Sequence, residues 1–226
     1  MSLTFKKILI VLVSTAFCIS LNAQYKFGVH AGWGFSNYVG KDFPSDNQPK
    51  FGPVAGFYYE HELNLTVSIG TEVNYERKGT SYNYYPRIAT NISCNSSLDY
   101  ISVPLFMKFY IDYNAFYYFY GGVSGAYLMN SSNKVSVTEY GYEITPETFF
   151  NYKFRKFDAA VLVGFGVNFK EVILDFHYQY GIIDIYKGDN VPDIRNSFIS
   201  ATLGFTIYKK KVMHCLNPLR RLKRDL

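Results

Sequence analysis

TVSIGTEVNYERK, residues 66–78, alternates without a break. Val67, Ile69, Thr71, Val73 and Tyr75 fall on one side of an extended chain, and Ser68, Gly70, Glu72, Asn74 and Glu76 on the other. A period of two belongs to a β-strand, whose successive side chains point to opposite faces. One such strand would suit a soluble sandwich. Here the contrast recurs along the chain, and the recurrence decides the fold.

Working outward, residues 98–111 set Ile101, Val103, Leu105, Met107, Phe109 and Ile111 against Tyr100, Ser102, Lys108 and Tyr110. Upstream, Tyr25, Phe27, Val29, Ala31, Trp33 and Phe35 oppose Lys26, Gly28, His30, Gly32 and Gly34, and residues 51–61 carry Phe51, Ala55, Phe57 and Tyr59 on one face. Residues 116–129 are aromatic on both faces and then glycine-rich, so their facing is open. Downstream, Ala159, Val161, Val163, Phe165, Val167 and Phe169 oppose Asp158, Gly164, Gly166 and Asn168. Val172, Leu174, Phe176, Tyr178 and Tyr180 oppose Asp175, His177, Gln179 and Gly181; Ile199, Ala201, Leu203, Phe205 and Ile207 oppose Ser200, Thr202, Gly204 and Thr206. These segments make eight strands, an even number, as a bacterial single-chain barrel requires.

The connections alternate in length. Those at 62–65, 112–115 and 170–171 are short, whereas 79–97 and 130–157 are long. Short periplasmic turns and long outer loops predict an all-β fold, an eight-stranded antiparallel up-and-down transmembrane β-barrel that starts in the periplasm. A soluble lipocalin-like barrel is the alternative, with an apolar cavity and a wet exterior rich in Lys and Glu. The polar faces here carry mostly Gly, Ser, Thr and Asn, which suit the crowded inside of eight strands, and the continuous apolar face suits outer-membrane lipid. Glu72, Glu76, Lys108 and Asp175 would then lie in the lumen and need partners, because an unpaired buried charge costs several kcal/mol. A mixed-sign, hydrogen-bonded lumen reads as a plug serving stability rather than an ion path.

Composition agrees. Aromatics are 19% of the chain, nearly all Tyr (22) and Phe (20), as belts at membrane interfaces require. The net charge of +5 is unevenly placed: residues 24–208 hold 14 basic and 17 acidic side chains, a net of −3. The remaining basic residues lie in a leader and a tail, so no folded face points to nucleic acid. Residues 1–23 read as a signal peptide: Lys6 and Lys7, an apolar run over 8–21, and Leu21-Asn22-Ala23 before Gln24. The run is short for an uncleaved anchor, and Phe17 is bulky for a lipoprotein cleavage at Cys18. Residues 24–208 are the barrel, and 209–226 a basic periplasmic tail. In the tail, Asn217 is of the type to cap a short helix with Pro218 at its first position, in which Leu219, Leu222 and Leu226 would share a face amid Arg220, Arg221, Lys223 and Arg224. That is the pattern of an amphipathic segment for an anionic surface or a periplasmic contact; a solvated tail is the other reading. Cys94 and Cys215 fall on opposite sides of the membrane, Cys94 outside the cell, and cannot bridge within one chain.

The stretches LDYISVPLFMKFY (98–110) and FYYFYGGVSGAYL (116–128) resemble the centre of the outer-membrane β-barrel family common in Bacteroidetes, whose members are often called porin-family or PorT-family proteins. YKFGVHAGWGFS (25–36) and VILDFHYQYGIIDIY (172–186) are similar to the ends of that pattern. The resemblance implies location and fold, no catalytic residues and no cofactor, and by analogy a role in a secretion or assembly machinery. One departure is the 18 residues after Tyr208, where many such barrels end.

No constellation with catalytic or metal-ligand spacing is evident. His30 and His177 both face the lumen with Asp175 beside His177, but a strand separates their strands, so a hydrogen-bond network is expected rather than a metal or acid–base site. His61 lies at a turn and His214 in the tail. Barrel hydrolases place their His at the outer rim, and none of these four is expected there. Gly121-Gly122 and Gly125 sit in a strand with no following helix, so they mark a bend or close packing, not a phosphate loop. The chain is expected to be a non-enzymatic outer-membrane barrel with a structural or interaction role; a narrow channel is the further alternative.

Overall fold

A computed structural model describes residues 24–40, 47–87, 90–111, 115–139, 142–144, 154–186 and 193–210. The expected leader (1–23) and the tail from residue 211, with His214, Cys215 and Asn217, lie outside the described residues. Nine strands follow in order: β1 (Gln24–Val39), β2 (Asn47–Glu62), β3 (Val67–Arg87), β4 (Thr90–Tyr110), β5 (Tyr117–Glu139), β6 (Tyr142–Ile144), β7 (Phe157–Phe169), β8 (Val172–Gly181) and β9 (Arg195–Lys210). All but β6 form one ring. Each pairs antiparallel with the next, β5 pairs with β7, and β9 pairs back to β1 from Tyr25↔Lys210 to Val39↔Arg195. The ring is a closed eight-stranded antiparallel β-barrel. Closure removes the open sheet edges that would otherwise leave backbone N–H and C=O groups unpaired.

The facings follow the alternation. Val163 and Trp33 stand 59% and 61% exposed on the outside, while Glu60, Asn74, Glu76 and Ser102 are fully buried inside. The open facing of residues 116–129 is settled: Tyr118, Tyr120, Ser124 and Ala126 point inward, and Tyr117, Phe119, Val123 and Tyr127 outward. Small inward residues make room for large ones. A Cβ on Gly164 would land on the ring of Tyr120, and one on Gly122 on the backbone of Leu105 and Phe106. Close packing thus accounts for Gly122, whereas a Cβ on Gly121 would make only an ordinary contact with the Leu162 carbonyl at 3.8 Å and one on Gly125 would face open space.

At one end the strands join by tight turns. Between β7 and β8, Lys170 takes φ +59°, a left-handed conformation unfavourable for a side chain with a Cβ. At the other end two of the expected loops, 79–97 and 130–157, hold strand among their described residues. β3 and β4 stay paired from Gly79↔Ser97 to Arg87↔Thr90, and β5 continues beside β4 to Glu139, where β6 adds to it. These nine or so residues per strand extend the sheet beyond the barrel by roughly 30 Å of chain, at about 3.3 Å per residue. One consequence corrects the expectation for Cys94. It lies within β4, opposite Tyr82 and Val135, and is buried rather than displayed on a loop.

Candidate functional site: the outward band and the lumen

The outside of the barrel is an apolar belt with two aromatic rims. Near the turn end stand Tyr25, Phe27, Tyr59, Phe109, Phe119 and Tyr208, and Tyr25 stacks on Tyr59 and Tyr208 with ring centres 6.2 and 5.7 Å apart. Toward the loop end stand Trp33, Phe35, Phe51, Tyr127 and Phe157. Between the rims the exposed residues are mostly aliphatic (Val73, Val103, Leu105, Val123, Val161, Val163 and Leu203), with Phe57 beside Val73 and Tyr178 beside Val163. From Tyr25 to Phe35 is ten residues of one strand, about 33 Å of chain and about 25 Å of height at a tilt of ~40°, the height of a transmembrane barrel's apolar band. In water such a belt would be a severe liability, since soluble surfaces rarely carry contiguous apolar patches beyond a few hundred Å².

The lumen is polar and is organised in layers. Near the turn end, Glu60 accepts hydrogen bonds from Lys108 Nζ (3.1 Å), Ser68 Oγ (2.6 Å) and the Tyr110 hydroxyl, and lies 3.0 Å from Lys26 Nζ. Lys26 also donates to Tyr110 Oη at 2.8 Å, and Lys108 lies 4.4 Å over the Tyr118 ring. Next, Tyr118 and Tyr120 donate to the two oxygens of Asp175 at 2.6 and 2.5 Å. His30 Nε2 meets Asn74 Oδ1 at 2.7 Å, and Asn74 donates to Glu72 at 2.8 Å. Farther toward the loop end, Glu76 accepts from Ser102 (2.8 Å) and from Gln179 (3.0 Å), lies 2.9 Å from Lys78 Nζ, and Lys78 donates to Gln179 Oε1 at 3.0 Å. An apolar cluster of Tyr38, Leu98, Tyr100, Ile185, Tyr186 and Ile194 stands at the mouth.

Every lumenal charge read from the sequence therefore has a partner: Glu72 with Asn74, Glu76 with Lys78, Lys108 with Glu60, Asp175 with two tyrosines. Glu60 and Lys78 complete the network and escaped the sequence reading. Each falls on the polar face by simple parity, Glu60 two residues after Tyr58 and Lys78 two after Glu76; what was hidden is the strand register that makes them partners. The geometry between strands matters most. In the ring, β3 and β8 are diametrically opposite, and the Glu76–Gln179–Lys78 bonds join them straight across the lumen. Two voids along the axis each measure about 10 Å³, room for one water at most; Glu72 lines both, with His30 on one and His177 on the other.

The structure also brings together a trio that the sequence did not suggest. Ser200 Oγ lies 3.0 Å from His177 Nε2 and 3.2 Å from Nδ1, and Asp175 lies 3.7 Å from Nδ1. A nucleophilic triad needs Ser at one ring nitrogen and the carboxylate hydrogen-bonded to the other. Here the hydroxyl is nearly equidistant from both nitrogens, the carboxylate contact exceeds hydrogen-bond length, and all three side chains are enclosed at mid-lumen. The trio is a packing contact. His30 and His177 do not meet, since β9 separates their strands as expected, and His61 sits at the end of β2. Among the described residues no three His, Cys, Asp or Glu side chains gather as metal ligands.

The model of the family described as outer membrane protein beta-barrel domain matches residues 14–187 of the sequence. Among solved structures, the chain is similar to Neisserial surface protein A (18% identity, 80% of this chain and 97% of that one, TM-score 0.44). It is also similar to Ail, the attachment invasion locus protein of Yersinia pestis (14%, 83% and 100%, 0.44), and to the outer membrane protein OprG of Pseudomonas aeruginosa (11%, 84% and 96%, 0.41). No curated protein matches it.

Proposed function

The chain belongs to the outer membrane protein beta-barrel domain family and is an outer-membrane β-barrel; from that premise we propose that it is a non-enzymatic barrel whose lumen is closed by its own side chains, and whose role is structural or one of interaction through the sheet beyond the membrane. The observation that carries this reading is the Glu76–Gln179–Lys78 bridge between diametrically opposed strands. A solute passing the lumen would have to break it, and farther down the Lys26–Glu60–Lys108 group as well. Stranding one side of such buried pairs costs about 3–5 kcal/mol, so transient opening is rare. The off-axis geometry of Ser200, His177 and Asp175 supports the absence of hydrolytic chemistry. The β3–β4 hairpin and the run of β5 to Glu139 supply backbone for contacts above the bilayer.

Recording in planar phosphatidylcholine bilayers tests the proposal. The purified protein should give no stepwise conductance, a variant with Gln179→Ala and Lys78→Ala alone should stay closed, and one that also carries Lys26→Ala, Glu60→Ala and Lys108→Ala should conduct. Steady unitary steps from the wild type would replace this reading with a narrow channel. The resemblance of residues 98–110 and 116–128 to Bacteroidetes barrels of the PorT type favours, as a second reading, a subunit of a secretion or assembly machinery. Stoichiometric co-purification of a periplasmic complex with the full chain, lost on deletion of residues 211–226, would favour it and would assign the basic tail its contact.

A further inference from the structure

Directly above the apolar band, the outer surface of β2 to β5 carries a cationic shelf. Arg77 on β3 and Lys50 on β2 stand there with Lys134 on the β5 extension, while Asp99 on β4 is the acid between them. Arg77 is held by Asp99, Nε to Oδ1 at 2.6 Å and Nη2 to Oδ2 at 3.3 Å, and Tyr75 Oη donates to the same carboxylate at 2.8 Å. Lys50 reaches across β3 to Ser97 Oγ (2.6 Å) and to the Asn95 amide oxygen. That path exists because residue 79 is glycine: a Cβ there would lie 3.1 Å from the Lys50 side chain. Lys134 is exposed and opposite Asn95 in the β4–β5 ladder. Three cations against one carboxylate leave a net charge of +2 on one patch. By contrast, two other surface cations, Arg195 and Lys209, each have an acid beside them, Asp193 at 3.0 Å and Glu62 at 3.3 Å.

Height makes the patch specific. Lys134, paired with Asn95, lies four residues beyond Asn130, the partner of Asp99, whereas Arg77 and Asp99 stand just past Tyr127 and Lys50 adjoins Phe51, at the upper aromatic rim. That is the depth of lipid phosphates, immediately outside the hydrocarbon. We propose that this shelf binds the phosphate groups of a phosphomonoester-bearing lipid in the leaflet at the loop end, with Arg77, preset by Asp99 and Tyr75, as its planar anchor and Lys50 and Lys134 as point charges. The proposal rests on the membrane reading above. The hydroxyls and amides of Ser97, Asn95 and Ser132 on the same face offer donors for the headgroup.

Trp33 provides a built-in reporter. It is the only tryptophan, faces outward, and stacks on Phe51, the neighbour of Lys50, at 6.4 Å. The full chain is refolded into vesicles of brominated phosphatidylcholine, which quenches a lipid-exposed indole, and lipid A is added as bis-phosphorylated or dephosphorylated material. Phosphorylated lipid A should displace brominated lipid and restore Trp33 emission at a few mole per cent, while the dephosphorylated form and inorganic phosphate should not. In K50Q/R77Q/K134Q the preference should vanish, a loss of about fivefold in relative association per cation. The single exposed change K134Q, which touches no buried contact, should show the intermediate loss. Equal displacement by both forms of lipid A, equal behaviour of wild type and K134Q, or relief by inorganic phosphate alone would overturn the lipid site. Absence of any quenching of the wild type in brominated lipid would instead overturn the membrane reading itself.

Discussion

Replacing Glu60 by Gln is the sharpest perturbation of the lumen. The carboxylate is fully buried, and it is the acid that Lys26 and Lys108 share, at 3.0 and 3.1 Å. Gln keeps the volume and one oxygen for Ser68 or Tyr110, but removes the charge and turns an NH₂ toward ammonium groups. Removing one partner of a buried pair costs about 3–5 kcal/mol. The loss falls short of twice that, because Lys26 keeps Tyr110 Oη at 2.8 Å and Lys108 keeps the Tyr118 ring at 4.4 Å. Deprotonation sets a further bound: an ordinary lysine gives up its proton at pH 7 for about 4.6 kcal/mol. We therefore expect E60Q to lose about 3–5 kcal/mol in urea unfolding from phosphatidylcholine vesicles, followed by Trp33 emission, with an unchanged slope against urea. The variant K26M/E60Q/K108M removes the stranded charges and should regain most of the loss, since apolar replacement of a whole buried ion group is often neutral. A loss under about 1 kcal/mol for E60Q, or a triple variant no more stable than E60Q, would refute the shared-acid reasoning.

Other outcomes follow from the same geometry. Val163→Arg should cost roughly 2–4 kcal/mol because the position faces lipid near mid-height, whereas Gly164→Leu should block folding because Tyr120 occupies its space; equal tolerance of both in refolding yields would mean that the facing is wrong. Lys170→Gly relieves the left-handed φ of +59° and should gain about 0.5–1 kcal/mol, while Lys170→Val should destabilise, both read by urea midpoints. With Cys215→Ser as background, Ser132→Cys on the exposed β5 extension should react with a membrane-impermeant maleimide on intact cells, and buried Cys94 should be spared until the protein is unfolded. Labelling of Ser132→Cys only after lysis would invert the orientation.

How far the sequence could be read depended on contrast. Where lipid lies on one side and the lumen on the other, residues such as Val67 to Glu76 must alternate, and their facing was legible. Beyond the band both faces meet water or other strands, so residues 79–97 and 130–139 carry no such contrast and read as loops although they pair as strands. The error for Cys94 follows directly. In β5, tyrosines stand on both faces because Tyr118 and Tyr120 serve as hydrogen-bond donors to Asp175 while Tyr117 faces out, and no local pattern distinguishes those duties. The lumen shows the same limit. Parity places Glu60 and Lys78 inside, but their partners come from strands up to 101 residues away, Lys78 with Gln179, and only register brings them together. Likewise the cationic shelf joins Lys50, Arg77 and Lys134 from three strands, invisible as a run in sequence.

The central claim, that this chain closes into a barrel in the outer membrane, is tested most directly by electrophoresis of envelope fractions with and without boiling. A closed barrel keeps its inter-strand hydrogen bonds in mild detergent. The protein should be found in the outer-membrane fraction, and its unboiled band should migrate apart from the boiled one. Identical migration of both samples, with the protein released into the soluble fraction, would contradict it.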